Sequence, residues 1–299
     1  MVIPQILIQS FWELDRKMDA DRLSKQTYPT DLTEICDIPY IDDGHEYHKL
    51  DVYYPQDTKK GAKLPVIIDI HGGGWFYGDK ELNKNYCLHL AQRGFCVFNI
   101  SYRLVPEVRN DAQLADCMAA LDFIGRNLAK YPADKRRVFV TGDSAGGQLA
   151  AFVAAACLSD NMRKAYGISH RPDLKIKAVG LVSPCPYLIP KGGFRFYSPH
   201  VLGKNYKRKD WAKYIDFEKT VRAAKGKYPP TIIFTSFADI VAKSQSKKAY
   251  RLLKSRGTKV VLDKRFKPSL NHVYQVLFPD SADSVRAIDK MIKFFSKHS

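Results

Sequence analysis

The sequence predicts an α/β fold, with a mostly parallel central sheet covered by helices on both faces. Short apolar runs of strand length alternate with helical stretches through most of the chain after residue 66. Strands that alternate with helices are joined by crossover connections, which place consecutive strands parallel to one another. Because 299 residues are enough to bury the core of such a sheet, we expect one domain over 1–299.

The beginning of the chain departs from this alternation. Apolar residues at helical spacing predict an amphipathic helix over 4–26. Two strand-like runs follow at 34–40 and 50–54, separated by the turn-forming sequence Asp42-Asp43-Gly44. These two strands are predicted to form an antiparallel hairpin at one edge of the sheet.

Strands and helices then alternate to the end of the chain with one interruption. Strands are predicted at 66–70, 95–100, 137–141, 178–183, 231–236 and 259–262. Helices are predicted at 80–93, 111–129, 145–158, 242–256 and 281–297. The interruption, 184–229, contains several prolines and many aromatic residues but only weak helical periodicity. Because irregular connections of this length usually have a function, we expect 184–229 and the N-terminal residues 1–30 to form a lid.

Positive charge is concentrated in the second half of the chain. Residues 1–159 carry a net charge of −3, whereas residues 160–299 carry +20. A solvated basic surface is the favoured interpretation, and no nucleic-acid-binding motif accompanies the charge, so no nucleic-acid partner is expected. The predicted lid is itself basic, with 11 Lys and Arg against 3 Asp and Glu in 186–229. This excess gives the hypothesis that the substrate is anionic.

Cysteine usage and hydropathy predict a cytoplasmic protein. The six cysteines are scattered without any Cys-x-x-Cys spacing, and several lie inside apolar strand or helix patterns. We therefore expect buried free thiols in a reducing compartment. No apolar run is long enough to span a bilayer. The apolar stretch 2–8 is short, is interrupted by Pro4 and has no basic flank, so it is predicted to be one face of a helix rather than a signal peptide.

A Gly-x-Ser-x-Gly sequence lies between a predicted strand and a predicted helix. In Gly142-Asp143-Ser144-Ala145-Gly146, a sharp turn would expose the Ser144 hydroxyl above the edge of the sheet. The small residues on either side relieve the crowding that such a turn creates, and the N-terminus of the following helix favours negative charge at that point. The motif alone is weak, but its strand–turn–helix context indicates a nucleophilic serine.

A second glycine-rich motif directly follows a buried strand. Three consecutive glycines in His71-Gly72-Gly73-Gly74-Trp75 lose much backbone entropy on folding, which indicates that their conformational freedom is used. Their N–H groups, together with that of Ala145, could form an oxyanion hole. A flexible turn is the alternative interpretation.

A nucleophilic serine needs a base and an acid that orients the base. Of the eight histidines, His272 alone lies between the last predicted strand and the last helix, and His200 in the predicted lid is the second candidate. Asp239 follows strand 231–236, and Asp263 competes with it for the role of the acid. The order Ser144, Asp239, His272 is the order of the triad in α/β-hydrolases.

The motifs resemble those of a known family: Leu50-Asp51-Val52-Tyr53, His71–Trp75, Ser101-Tyr102-Arg103-Leu104 with Pro106-Glu107, Gly142–Gly147, Asp239 and His272. The sequence resembles the hormone-sensitive-lipase-like branch of the α/β-hydrolases, which also contains small carboxylesterases and acyl-sugar or feruloyl esterases. The resemblance implies the α/β-hydrolase fold, with Ser144 as nucleophile, His272 as base and Asp239 as its partner. It also implies that three N–H groups form the oxyanion hole: those of Gly73, Gly74 and Ala145.

The expected activity is hydrolysis of a small-molecule carboxylic ester through an acyl-serine intermediate. Short acyl chains are expected, because no long apolar lid helix is evident, and neither a cofactor nor a metal is implied. Four aromatic residues are candidates for an apolar pocket, with core packing as the alternative: Trp75, Phe76, Tyr187 and Tyr274. The alternative functions are an amidase or peptidase of the same fold and a non-catalytic ligand-binding protein. The oligomeric state is left open.

Overall fold

In the computed structural model, which describes residues 5–188 and 194–299, an eight-stranded sheet lies at the centre of the chain. The strands are β1 (Leu32–Pro39), β2 (Lys49–Pro55), β3 (Leu64–Ile70), β4 (Cys96–Ile100), β5 (Ala133–Asp143), β6 (Ile176–Val182), β7 (Thr231–Ser236) and β8 (Val260–Arg265). Their order across the sheet is β1-β2-β4-β3-β5-β6-β7-β8. The pairs β1–β2 and β2–β4 are antiparallel, and every other pair is parallel. The predicted α/β fold, with its antiparallel edge hairpin, is confirmed.

The described residues also form ten α-helices. They are α1 (Gln5–Ser24), α2 (Lys80–Ala91), α3 (Asn110–Asn127), α4 (Ser144–Ala156), α5 (Asp160–Ala165), α6 (Phe194–Leu202), α7 (Phe217–Ala223), α8 (Lys243–Ser255), α9 (Tyr274–Leu277) and α10 (Ala282–Lys297). Every helix predicted from periodicity is present, and its bounds agree with the prediction to within a few residues.

The helices cover both faces of the sheet because side chains of a strand alternate between its two sides. In β3, Val66 and Ile68 belong to the core shared with α3 and α4. Ile67 between them belongs to a second core, which α2 and α10 cover. All three side chains are fully buried, so β3 reads as a continuous apolar run, as expected of a central parallel strand.

The structure differs from the prediction mainly between the sixth and seventh strands. Helices α6 and α7 and two 3-10 helices at 206–208 and 210–214 occupy much of a segment predicted to be irregular. They are short, and an apolar periodicity cannot be recognised over so few residues. Local capping explains α7, since the Asp216 side chain accepts a hydrogen bond from the Glu218 N–H. Residues 1–4 and 189–193 of the two predicted lid segments lie outside the described residues.

The cysteines and the longer helices bear on two further sequence expectations. Five of the six cysteines are buried, whereas Cys36 in the edge strand β1 is exposed. Across 5–188 and 194–299, none of the helices has the length and apolar character needed to cross a membrane.

Candidate active site

Ser144 sits at the turn between β5 and α4 in a left-handed backbone conformation. Its φ is +50°, which is unfavourable for a residue with a side chain and is held only because the surrounding packing fixes it. Gly146 packs directly against the end of β3: a Cβ there would lie 2.0 Å from the Ile70 carbonyl oxygen and 2.2 Å from that of His71. The close approach that Gly146 permits therefore places the serine beside the glycine-rich loop.

The three residues predicted to form a triad are linked by two successive hydrogen bonds. Ser144 Oγ lies 2.8 Å from His272 Nε2, and His272 Nδ1 lies 3.0 Å from Asp239 Oδ1. These residues come from the β5–α4 turn, the loop after β7 and the loop after β8. All three positions are at the carboxyl ends of parallel strands, where reactive groups gather in open α/β sheets.

The surroundings of Asp239 keep its carboxyl group ionised although the residue is fully buried. Burial alone would raise the pKa of its carboxyl group, but the hydrogen bond from His272 and the backbone N–H of Ala242, 2.8 Å from Oδ1, outweigh burial and lower the pKa. Its Oδ2 lies 3.3 Å from the Thr235 hydroxyl. An ionised acceptor on Nδ1 fixes the tautomer in which Nε2 faces the serine and can take its proton.

The competing candidates for base and acid lie elsewhere. Asp263 forms ion pairs with Arg265 at 3.0 Å and Lys290 at 2.9 Å. His200 belongs to α6, where its ring contacts Phe76 and its carbonyl oxygen accepts a hydrogen bond from Arg109.

The glycine-rich loop after β3 lines the cavity that contains Ser144. Gly73 and Gly74 have φ values of +93° and +57°, so the loop uses conformations that favour glycine. Within the described chain, no acceptor is recorded for the N–H groups of Gly73, Gly74 or Ala145. Free N–H donors beside a nucleophile are what an oxyanion hole requires.

The aromatic ring stack behind this loop holds it in place. The rings of His71 and Tyr102 stack at 4.3 Å, and the Tyr102 hydroxyl donates to the carbonyl oxygens of His71 and Gly72. Burial lowers the pKa of His71 to about 4, so its imidazole is neutral at pH 7. His71 Nδ1 lies 2.9 Å from the Gly72 carbonyl oxygen, so the neutral imidazole supports its own loop.

Two buried carboxyl groups under the site were not predicted to interact. Asn83 Nδ2 donates to Asp143 at 2.9 Å and to Asp69 at 2.7 Å, and Asp143 also accepts from the N–H of Gly72. This network joins the turn that carries Ser144 to the glycine-rich loop. Burial raises the pKa of Asp143 to about 6, and burial together with the charge of Asp143 raises that of Asp69 to about 8. The spacing of these residues in the sequence does not predict the network, because Asn83 reaches the two aspartates only through the packing of α2 on the sheet.

The Asp69→Asn variant should become more stable relative to wild type as the pH rises from 5 to 8. Folded wild type keeps the Asp69 proton up to about pH 8, whereas an unfolded aspartate releases it near pH 4. Between these values the folded state binds more protons, so the stability of wild type falls with pH, and the uncharged amide removes this contribution. Urea unfolding of both proteins at pH 5 and pH 8 measures the difference.

The control for this experiment is Asp42→Asn at an exposed position, which should leave the pH dependence unchanged. A difference between wild type and Asp69→Asn that is constant over this range, or that shrinks with increasing pH, would contradict the buried neutral carboxyl group.

An apolar cavity of about 570 Å³ opens beside Ser144 and His272. Helix α1 forms one wall through Phe11, Trp12 and Met18, and α6 contributes Tyr197. Trp12 packs on the glycine-rich loop so closely that a Cβ at Gly74 would lie 2.2 Å from its ring. The Tyr197 hydroxyl donates to the Gly74 carbonyl oxygen. Helices α1 and α6, which belong to the two predicted lid segments, therefore both reach the loop.

Four aromatic residues were predicted to line this cavity: Trp75, Phe76, Tyr187 and Tyr274. None of them is in its wall, and we correct that assignment. All four are buried. The indole N–H of Trp75 donates to Gln148 at 3.0 Å inside the core, and the ring of Tyr187 contacts that of Phe217. Tyr274 packs in the core that α10 covers. Core packing, the alternative interpretation, therefore describes them.

The charges in the cavity wall do not match the basic composition of the 186–229 segment. Among the described residues that line the cavity, Arg22 is the single basic side chain, and it is paired with Asp19 at 2.8 Å. Asp15 and Asp143 add carboxyl groups to the same wall. The interior is consequently apolar to weakly acidic, and the lysines at 204–213 lie outside its wall.

Comparisons with known proteins find esterases and a deacetylase among the relatives of this chain. A family model described as BD-FAE matches residues 50–253. Esterase LipI of Mycobacterium tuberculosis is 35% identical over 104 residues, which are 34% of this chain and 32% of that protein. Arylacetamide deacetylase of Bos taurus is 30% identical over 187 residues, which are 58% of this chain and 43% of that protein. The chain thus spans less than half the length of these two relatives.

Among solved structures, an inhibited esterase B from Lactobacillus rhamnosis is 28% identical, with a TM-score of 0.91 and coverage of 98% of this chain and 96% of that chain. The resemblance to the hormone-sensitive-lipase-like carboxylesterase branch of the α/β-hydrolases is thereby confirmed. Because the BD-FAE model covers more than half of the residues, the chain belongs to the BD-FAE family.

Proposed function

We propose that the protein is a serine hydrolase that cleaves carboxylic esters. The observation that carries the proposal is the hydrogen-bonded chain from Ser144 through His272 to Asp239, placed at the mouth of an apolar cavity. The esterase names of the relatives support the same reaction class.

In the proposed reaction, Ser144 Oγ attacks the carbonyl carbon of the ester while His272 Nε2 takes its proton. The tetrahedral oxyanion is stabilised by the N–H groups of Gly73, Gly74 and Ala145. Protonated His272 then gives its proton to the leaving alcohol, and the acyl group remains on the serine. Water, deprotonated by the same imidazole, releases the acid and restores the enzyme.

We propose that the acyl group of the substrate is short and uncharged. An apolar wall favours the hydrocarbon part of a substrate, and the carboxyl groups of Asp15, Asp19 and Asp143 would repel an anionic one. Esterase B from Lactobacillus rhamnosis has been crystallised with a C4-C4 tributyrin phosphonate inhibitor. By analogy, we propose short acyl esters of glycerol as substrates of this protein. We therefore replace the hypothesis of an anionic substrate with that of a neutral short-chain ester.

Amide hydrolysis is the second candidate, because one relative is named a deacetylase of arylacetamides. A non-catalytic ligand-binding protein is disfavoured by the complete hydrogen-bonded chain, which ligand binding alone would not require.

The acyl-chain profile tests this proposal. If the enzyme prefers short acyl chains, wild type should hydrolyse p-nitrophenyl butyrate with a kcat/KM at least about tenfold higher than that for p-nitrophenyl dodecanoate. The monosuccinyl ester, which matches butyrate in length but carries a charge, should be slower by roughly tenfold as well, once the release of p-nitrophenol without enzyme has been subtracted. Matched p-nitroanilides complete the series.

Each outcome of the series selects one function. Faster turnover of the anilides would favour an amidase, and a preference for the succinyl ester would restore the anionic substrate. No turnover of any substrate would leave ligand binding as the better explanation.

A further inference from the structure

The loop that carries Asp239 exposes large apolar side chains to solvent. Ile240 is 90% exposed, and Phe237 and Val241 on either side of it are also exposed. Phe266, 70% exposed, lies beside them because the Phe237 N–H donates to the Arg265 carbonyl oxygen at 2.7 Å. These four residues form what we call the apolar rim. Single exposed apolar residues are common, but a cluster of four at a cavity mouth marks an interaction site.

Helix α1 adds a second exposed apolar surface at the same cavity. Leu7, Phe11, Leu14 and Met18 are spaced by four, three and four residues, so they share one face of the helix. Each is 56–63% exposed. Phe11 and Met18 line the cavity, as does Val241 of the apolar rim. The mouth of the cavity is therefore bounded by apolar side chains from two separate segments.

Lysines surround the aromatic residues of the rim. Lys243 Nζ lies 4.6 Å from the centre of the Phe237 ring, and Lys264 Nζ lies 4.1 Å from that of Phe266. Lys243 and Lys247 are one turn apart on α8, so they lie on the same side of that helix. Desolvation and the charges of Lys247 and Lys243 lower the pKa of Lys264. None of the three forms an ion pair with another described residue.

We propose that the apolar rim and its three lysines bind an anionic phospholipid surface, with the cavity mouth facing the lipid. Exposed aromatic and aliphatic side chains enter the boundary between headgroups and acyl chains, while lysines that have no carboxylate partner are attracted to lipid phosphates. A second copy of the chain is a poorer occupant, because a two-fold contact through this surface would bring the same lysines together. The binding step does not depend on the proposed esterase activity.

Vesicle sedimentation tests this inference on the full chain carrying Ser144→Ala, so that lipid hydrolysis cannot interfere. We expect the protein to sediment with vesicles of phosphatidylcholine containing about one third phosphatidylserine, and weakly or not at all with pure phosphatidylcholine. Each lysine near an anionic surface contributes roughly a fivefold factor in partitioning. The triple change Lys243→Glu, Lys247→Glu and Lys264→Glu should therefore weaken binding by more than about 100-fold.

A charge-matched control distinguishes the rim from general basicity. Lys204→Glu, Lys207→Glu and Lys209→Glu change the same number of lysines, all of them exposed and outside the cavity wall, and this variant should keep most of the binding. The uncharged pair Ile240→Ser and Phe266→Ser should lower partitioning by roughly tenfold or more, which a purely electrostatic contact would not.

Three results would overturn the inference. They are the absence of binding to the anionic vesicles, an equal loss in the two lysine variants, and self-association that the rim substitutions abolish while vesicle binding is unaffected. The rim variants are also made in the protein that keeps Ser144. Their turnover of soluble p-nitrophenyl butyrate verifies that the site itself is intact.

Discussion

Replacing Ser144 by alanine should lower kcat for p-nitrophenyl butyrate by a factor on the order of 10⁴–10⁶. The serine hydroxyl lies 2.8 Å from His272 Nε2 and is a group that can form an acyl intermediate. Without it, the remaining acceleration comes from substrate binding and the oxyanion hole alone. Steady-state hydrolysis at saturating substrate measures the loss.

The triad also predicts how a second substitution behaves. His272→Ala should cost about as much as Ser144→Ala, and the double variant should be little worse than either, because residues that act as one unit are not additive. Independent, multiplicative losses would contradict the proposed roles. The thermal midpoint of Ser144→Ala should stay close to that of wild type, since the change removes one hydroxyl and leaves the backbone at φ +50° occupied by a residue of similar size.

The sequence predicted these residues because their signal is local. A strand, a glycine-flanked serine and a helix follow one another within about 20 residues, and the turn between them has one geometry. Asp239 and His272 were placed by chain order, because each follows a parallel strand and the carboxyl ends of such strands meet at one edge. Position relative to an element, rather than residue type, separated His272 from the other histidines.

The pocket could not be predicted in the same way. Trp75 and Phe76 follow the glycine-rich loop directly, yet Trp75 has a φ of +70° and its indole is directed to Gln148 in the core. The wall is supplied instead by Trp12 and Tyr197, from segments more than 50 residues away in sequence on either side. Side-chain direction at a left-handed residue and packing between distant helices are tertiary properties, which periodicity does not encode.

The partners in the Asp69–Asn83–Asp143 network could not be predicted from the sequence either. Asp69 lies inside a strand that is otherwise apolar, which marks it as unusual, but its partner Asn83 comes from α2. A buried carboxyl group needs hydrogen-bond partners, and sequence alone could state that need without identifying them.

A substitution at Gly146, in the turn between β5 and α4, should have the second large effect, on stability as well as on activity. In Gly146→Ala, the new Cβ would meet the carbonyl oxygens of Ile70 and His71 at 2.0 and 2.2 Å. Both are backbone atoms at the end of β3, so the overlap cannot be relieved by a rotamer change, and α4 must move away from the glycine-rich loop. We expect the free energy of unfolding to fall by about 3 kcal/mol, at the upper end of overpacking penalties.

The same displacement should lower kcat/KM of the folded Gly146→Ala protein by roughly 100-fold, because a shift of about 1 Å between nucleophile and oxyanion donors has that effect. Gly125→Ala in α3 is the matched control. Its Cβ would lie 3.3 Å from the Leu174 side chain, which can shift, and at an ordinary contact distance of 3.5 Å from the Asp173 carbonyl oxygen. Because alanine is also the better helix former, stability and activity should both stay near wild type. Urea unfolding and ester hydrolysis measure the two effects separately. Equal stability of Gly146→Ala and Gly125→Ala would show that α4 does not press on the end of β3, and Ser144 would then owe its position beside the loop to other contacts.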